Sequence, residues 1–212
     1  MEGGRVGEPA ATSLSQSLAD HNIVLRRLKT GTPMRIQGDS IDYEQMGVQH
    51  GDKQPLPFSI WSDHELNNRA RCWTTRTNDL THRIIRSAFP RSPLFDGSIQ
   101  AFGPRYCPGI EDKISRFPER NSHQLFVEPE DSLGERIYLN GFNSSLPQEV
   151  QEEAMRTIPG LQNATVLLYG YDIEYDAIRA TQLHPTLEHK KIANLYFAGQ
   201  VNGTSGYEEA AV

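Results

Sequence analysis

Apolar positions along the chain come in short clusters separated by glycine, proline and asparagine, and their spacing predicts alternating short helices and strands. Residues 13–20 read as a short helix. The run Ile23, Val24, Leu25 and Leu28 reads as a strand ending at the turn Thr30, Gly31, Thr32, Pro33. From 37 to about 58 the composition shifts to Asp, Gln, Gly and Pro with few apolar clusters, which predicts a long loop and a domain boundary. Asn78 is a fair N-cap for a helix carrying Leu80, Ile84, Ile85 and Ala88 on one face, stopped by Pro90. Strand-favouring runs at 98–102, 123–128, 136–139 and 164–169 predict a mixed sheet. Pro147 opens a helix in which Val150, Ala154 and Ile158 recur every four residues, closed by Pro159 and Gly160. The run Leu195, Tyr196, Phe197, Ala198 reads as a strand feeding a glycine loop, 199–206, and a helix start at 207–211. The class is α/β with an α+β segment in the middle.

The 212 residues suffice for one good-sized domain or two small ones, and 37% hydrophobic content suffices for a core. The glycine-rich opening, 3–9, has nothing before it to connect, so the start reads as truncated, and the chain stops one turn into a helix. With 21 Lys and Arg against 27 Asp and Glu, the net charge of −6 does not advertise nucleic acid or an anionic membrane, and any such partner must meet a local patch. The longest apolar runs fall far short of the roughly 20 residues that span a bilayer. No export signal opens the chain. Two cysteines, Cys72 and Cys107, fit a reducing compartment, so the cytoplasm is expected. Scattered histidines and the lack of a CxxC pair predict no zinc or other metal. No Ser/His/Asp order or paired-carboxylate spacing favours hydrolysis.

Three stretches carry candidate chemistry. The glycines Gly199, Gly203 and Gly206 let the backbone approach a ligand, although Ser205 with Glu208 also makes an ordinary capping box. The stretch from Gly103 to Lys113 packs two prolines, two glycines, an arginine, a tyrosine and a thiol together. There Arg105 and Lys113 suit phosphates, Tyr106 suits ring stacking, and Cys107 beside Arg105 suits a nucleophile; the plainer alternative is a rigid surface turn with a packing cysteine. Finally, Arg69, Arg71, Arg76, Arg83, Arg86 and Arg91 stand against only Glu65 and Asp79, with Trp73 and His82 interleaved. Such a basic patch with aromatics suits RNA, and a solvated helix face is its duller alternative.

The segments LKTGTP at 28–33, GPRYCPGIEDK at 103–113, HQLFVEPE at 123–130 and YFAGQVNGTSGYEEAA at 196–211 closely resemble the MnmG (GidA) family, nearly colinearly over the whole chain. The resemblance implies a flavoprotein that, with the GTPase MnmE, installs an aminomethyl or carboxymethylaminomethyl group at carbon five of the wobble uridine of tRNA. It implies FAD, NADH and methylene-tetrahydrofolate as cofactors and carbon donor, and a homodimer. The family's fold is a Rossmann-type FAD-binding domain interrupted by an inserted α+β domain, whose amino-terminal GxGxxG unit has no counterpart here. Residues 1–34 and 190–212 then correspond to the FAD domain, and 35–189 to the insert contacting NAD and tRNA. The flavin-facing loop maps onto Gly199, Gln200, Asn202, Gly203 and Thr204, with Gln200 the strongest candidate. The NAD-binding segment maps onto Gly103, Pro104, Arg105, Tyr106, Cys107, Pro108, Gly109, Ile110, Glu111, Asp112, Lys113, Ile114, Ser115, Arg116 and Phe117. Cys107 also matches a family cysteine suited to attack carbon six of the uridine. The arginines Arg69, Arg71, Arg76, Arg83 and Arg86 are the expected tRNA contacts. Where many relatives have a serine near FAD, this chain reads Pro9, Ala10, Ala11, Thr12, Ser13, so that contact stays unassigned. Two rivals remain: a flavin oxidoreductase for a small metabolite, and, for the chain by itself, a non-catalytic tRNA-binding or dimerisation module.

Overall fold

A computed structural model of the chain describes residues 7–57, 59–63, 65–99, 101, 103, 108–204 and 210. In chain order its elements are α1 (Thr12–Asp20), β1 (Leu25–Thr32), β2 (Arg35–Gln37), β3 (Gly47–Gln49), β4 (Cys72–Arg76), α2 (Asp79–Ser87), α3 (Ile110–Arg116), β5 (Gln124–Pro129), β6 (Arg136–Asn140), α4 (Gln148–Met155), β7 (Val166–Leu168) and β8 (Tyr171–Ile178). They fall into two compact units. One comprises Met1–Gly31, Pro93–Pro108 and Asp172–Val212, the other Thr32–Ser92 and Gly109–Tyr171. Compactness thus divides the chain near 31 and 171 and groups 93–108 with the first unit, whereas composition alone places a boundary between 37 and about 58 and the family resemblance divides the chain after 34 and 189.

The second unit is built on a six-stranded sheet in the order β3-β4-β5-β6-β2-β7. Every pairing in it is antiparallel, so the expected mixed sheet is corrected. The reason lies in β2. Strands β6 and β7, joined through α4, both run antiparallel to β2 and hence parallel to each other, but β2 sits between them and keeps them from pairing. The β5–β6 turn is built by Asp131, whose carboxylate accepts from the backbone N–H groups of Leu133, Glu135 and Arg136. Gly38 is required where the chain meets this turn, because a Cβ there would stand 1.9 Å from the Gly134 carbonyl oxygen.

The sheet is covered by α2, α3 and α4, and the inward residues Ile85, Ile110, Ile114, Leu125, Val127, Ile137, Leu139, Ala154 and Ile158 make a continuous core. Each fully buried aliphatic side chain contributes about 1.5–3 kcal/mol. Helix α2 starts where expected: the Asn78 side chain accepts from the Thr81 N–H while Thr81 Oγ1 accepts from the Asn78 N–H, closing a capping box. Its inward face is Thr81, His82 and Ile85, however, and Leu80 is 47% exposed. Leu80 is therefore not on the core face. The expected loop at 37–58 instead contains two 3-10 turns, Gly38–Ser40 and Tyr43–Gln45, and β3. Ile41 and Met46 from this stretch are buried in the core, so isolated apolar residues rather than a periodic run hold it down. Pro147 is the N-cap of α4, not its first residue.

In the first unit β1 pairs with β8. Side-chain pairs Arg27–Asp176 and Lys29–Asp172 step in opposite directions along the two strands, so the ribbon is antiparallel. β1 starts two residues later than expected and runs straight through the supposed turn at 30–32, because pairing with β8 satisfies the backbone there and overrides the weak strand propensity of Gly31. Ile23, Ile178, Leu183 and Phe197 form the unit's core, with Leu18 of α1 packed on it. The expected strand at 195–198 is reduced to a single bridge, Glu188 to Tyr196. Ser98, Ile99 and Ala101 are not in a strand either; Gln100 and Phe102 of that run lie outside the described residues.

Candidate functional site

Of the segment 103–117, Pro104, Arg105, Tyr106 and Cys107 lie outside the described residues. Gly103 and Pro108 belong to the first unit, and Gly109 onward to the second. The downstream half is not a surface turn but α3, whose Ile110 and Ile114, spaced by four, are completely buried. Its polar residues bind the neighbouring loop. Glu111, 1% exposed, accepts from the Ser145 N–H at 2.9 Å, the Ile110 N–H donates to the Asn143 carbonyl at 2.7 Å, and Lys113 Nζ donates to the Gly141 carbonyl at 3.0 Å. Asp112 is buried and 3.7 Å from Arg116. Only Ser115, Arg116 and Phe117 at the helix end are exposed to solvent.

Strand β4 divides the predicted arginine patch. Arg69 and Arg71 precede it and Arg76 ends it, a separation of about 17 Å from 71 to 76 at ~3.3 Å per residue. At the first end lies a groove of about 530 Å³ lined by His50, Arg69, Arg71, Trp73 and the 131–134 turn, in which the Arg71 guanidinium lies 5.5 Å from the Trp73 ring centroid. Tyr43 packs on Trp73 with centroids 4.3 Å apart. At the other end stands Arg76, and the following helix α2 carries Arg83 and Arg86. Arg76 Nε donates to Ser122 Oγ at 3.1 Å and Arg86 Nη2 to the Pro118 carbonyl at 3.1 Å. Both bonds reach the loop that follows α3, where the Arg120 guanidinium lies 5.5 Å from the Phe117 ring centroid. The sequence reading missed Arg120; its only signal was an arginine in an otherwise polar loop.

Beneath this end lie two stacked histidines, His82 and His123, with centroids 5.2 Å apart. Thr77 Oγ1 bonds His82 Nε2 at 2.8 Å and accepts from the His123 N–H at 2.7 Å. Burial, then the charges of His82, Lys113, Arg120 and Arg76, push the His123 imidazole down to about 4. Burial and Arg86 lower His82 as well. Cys72 is a free thiol whose pKa is raised by burial and by Glu128, which keeps it protonated and unreactive at neutral pH.

In the glycine loop a 3-10 turn spans Gly199–Asn202. Gly199 has φ +78° with no atom of the described residues within 4 Å of where a Cβ would stand, and Gly203 has φ +94° with the Arg26 guanidinium 2.6 Å from that position. Asn202 Nδ2 donates to the Phe197 carbonyl at 2.8 Å and Thr204 Oγ1 to the Gly199 carbonyl at 3.4 Å. Asn202 Oδ1 is buried without a hydrogen-bond partner among the described residues, and Gln200 is exposed. Among the described residues, no group of three or more His, Cys, Asp or Glu side chains is placed to hold a metal ion, and no helix is long and apolar enough to cross a membrane.

The sequence model of the family described as glucose inhibited division protein A matches residues 1–212. This chain belongs to that family. Two relatives named tRNA uridine 5-carboxymethylaminomethyl modification enzyme MnmG illustrate the likeness: that of Syntrophotalea carbinolica is 52% identical over 209 residues, and one of Bacteroides fragilis is 50% identical over 211. Each alignment covers 99% of this chain and 34% of the relative, so the chain spans about a third of the length of the curated GidA proteins it matches. Crystal structures of Aquifex aeolicus GidA superpose with TM-scores of 0.89 and 0.87 at 46% and 43% identity, covering all of this chain and 36% and 34% of those chains. The mixed α/β architecture is thus that of the GidA family.

Proposed function

We propose that this chain is part of a flavoprotein that adds an aminomethyl or carboxymethylaminomethyl group at carbon five of the wobble uridine of tRNA, working with the GTPase MnmE. The observation that carries this reading is 50–52% identity, across nearly the whole chain, with relatives named for the 5-carboxymethylaminomethyl modification of tRNA uridine. In this reading residues 1–34 and 190–212 belong to a Rossmann-type FAD-binding domain and 35–189 to an inserted domain contacting NADH and tRNA. The assembly is a cytoplasmic homodimer, and methylene-tetrahydrofolate is the carbon donor.

The residues present fit a flavin at the glycine loop. Among the described residues nothing fills the space in front of Gly199, which admits the edge of a planar ring to the backbone, and none partners Asn202 Oδ1, an acceptor that a ring N–H would satisfy. Gln200, Gly203 and Thr204 complete the proposed contact. FAD, when bound, supplies the hydride received from NADH that reduces the carbon being attached to the uridine. Around it the chain binds and orients: segment 103–117 holds NADH through its residues ahead of α3, because Ile110, Glu111, Asp112 and Ile114 within the helix are buried, Cys107 adds to carbon six of a flipped-out uridine to activate carbon five, and the exposed arginines hold tRNA phosphates.

The test is a graft. The corresponding third of a full-length relative is replaced by this chain, the chimera is expressed in a bacterium lacking its own enzyme, and tRNA nucleosides are measured by mass spectrometry. Recovery of the modified wobble uridine is expected; a folded, flavin-bearing chimera that leaves the uridine unmodified overturns the reading. In direct binding, replacing Arg83 and Arg86 with Ala should weaken tRNA affinity and flatten its salt dependence. Because the chain covers about a third of its relatives' length, a second reading applies to the chain alone: a tRNA-binding or dimerisation module without catalysis.

A further inference from the structure

The described arginines divide into two classes. Arg27, Arg35, Arg91, Arg116, Arg136 and Arg156 are each paired with a carboxylate. Arg26, Arg69, Arg71, Arg76, Arg83, Arg86, Arg120 and Arg179 have no carboxylate partner among the described residues, although the chain as a whole carries six more acidic than basic groups, and Arg76, Arg83, Arg86 and Arg120 are those on the end of β4, α2 and the 117–122 loop. Three of them converge on the 117–122 loop: Arg76 and Arg86 bond to it and Arg120 belongs to it, because Arg76 at the end of β4 pairs in register with Gln124 at the start of β5. An unneutralised cluster in an acidic protein is a surface that keeps its field for a partner.

The loop they surround has the other half of a nucleotide's requirements. Phe117 is 45% exposed at the end of α3, an aromatic ring held in water rather than in the core. The Arg120 N–H donates to the Phe117 carbonyl at 3.0 Å, closing a tight turn that sets the guanidinium beside the ring. Arg86 and Arg76 pin this turn from outside through Pro118 and Ser122, each using one N–H and keeping the rest of its fork. A guanidinium already held in place loses less rotamer entropy on binding, so it is a better phosphate clamp than a free one. The convergence of positive charge is felt underneath, where Arg76, Lys113 and Arg120 all oppose protonation of His123. Carboxylates nearby are few: Asp79 begins α2, Asp112 is taken by Arg116, and Glu119 is an exposed residue of the same loop.

We propose that the 117–122 loop is a binding site for an unpaired nucleotide of RNA, with its base stacked on Phe117 and its phosphate held by Arg120, Arg86 and Arg76. This rests on the reading of the chain as part of a tRNA-modifying protein and gives that reading a specific site, separate from the Arg69–Arg71 groove at the other end of β4. The stacking favours a loop nucleotide, because bases within a duplex offer no open face.

The test measures binding of the 212-residue chain to a fluorescent anticodon stem-loop RNA and to a blunt RNA duplex of equal charge, with and without NADH as competitor. Phe117→Leu should weaken the stem-loop roughly tenfold and leave the duplex unchanged. Arg120→Gln should weaken both and lower the slope of log affinity against log salt by about 1. Both positions are exposed, and unchanged circular dichroism melts verify that the variants fold. Equal affinity of Phe117→Leu for the stem-loop overturns the site, as does NADH displacing the RNA in wild type but not in Phe117→Leu, which marks a dinucleotide site. Wild-type chain that binds no RNA at all overturns the broader tRNA reading; wild-type binding with unaffected variants overturns this site alone.

Discussion

The ammonium of Lys29 donates to Asp172 Oδ2 at 2.8 Å, and the two side chains are 2% and 3% exposed. This ion pair sits in the β1–β8 ribbon and is sealed from water, so its members depend on each other far more than a surface pair would. Lys29→Met should cost about 3–5 kcal/mol by leaving a buried carboxylate uncompensated, whereas Lys29→Met with Asp172→Leu should recover most of that loss. Urea denaturation of the three proteins checks it. A single variant as stable as wild type would show that Asp172 reaches water.

Acid should weaken the fold through its stacked histidines. His123 is held near 4 in the folded state and takes its proton near 6.5 when unfolded, so the unfolded chain binds more protons between those values. Stability is therefore complete above pH 6.5 and is lost as pH falls towards 4, by on the order of 2–3 kcal/mol at pH 4.5 from this group. His123→Gln should show a smaller drop than wild type between pH 7 and 4.5 in urea titrations; equal drops would refute the assignment.

Asn78→Ala removes both the capping box of α2 and the bond from Asn78 Nδ2 to the Thr157 carbonyl at 2.6 Å. The expected loss is about 2 kcal/mol, the upper end for a cap, and Asn78→Asp should keep the cap while losing the donor. Chemical denaturation distinguishes the two variants, which should rank wild type, then Asp, then Ala.

Flavin binding is read by absorbance. The chain purified alone should be colourless and the grafted chimera yellow, and Gln200→Ala in the chimera should lower its flavin affinity. Gly199→Val should remove the colour, because φ +78° disfavours a β-branched residue and its methyls would occupy the open space. A yellow isolated chain would show that the glycine loop and its neighbours suffice for the cofactor.

Much of the architecture was legible where local and tertiary demands agree. The Asn78 cap and the strands β5 and β6, bounded by turn residues, were read almost as they stand. Strand β4 was hidden because Arg71, Arg76 and two threonines surround Trp73, masking an alternation in which only Thr75 is fully buried. Helix α3 was hidden behind Pro108 and Gly109, which read as a turn, although Ile110 and Ile114 carry the helical spacing. At the candidate site the residue types were visible and their grouping was not. Arg120 lies far along the chain from Arg76 and Arg86, and only the pairing of β4 with β5 brings it to their side.

The two units are threaded through one another along the sequence: the first uses three stretches of chain and the second two. Strand β2, at 35–37, waits for partners at 136–140 and 166–168 before it is paired on both sides. The larger sheet therefore closes only after the ribosome has passed residue 168, about 130 residues beyond β2, and no single protease cut can release either unit whole.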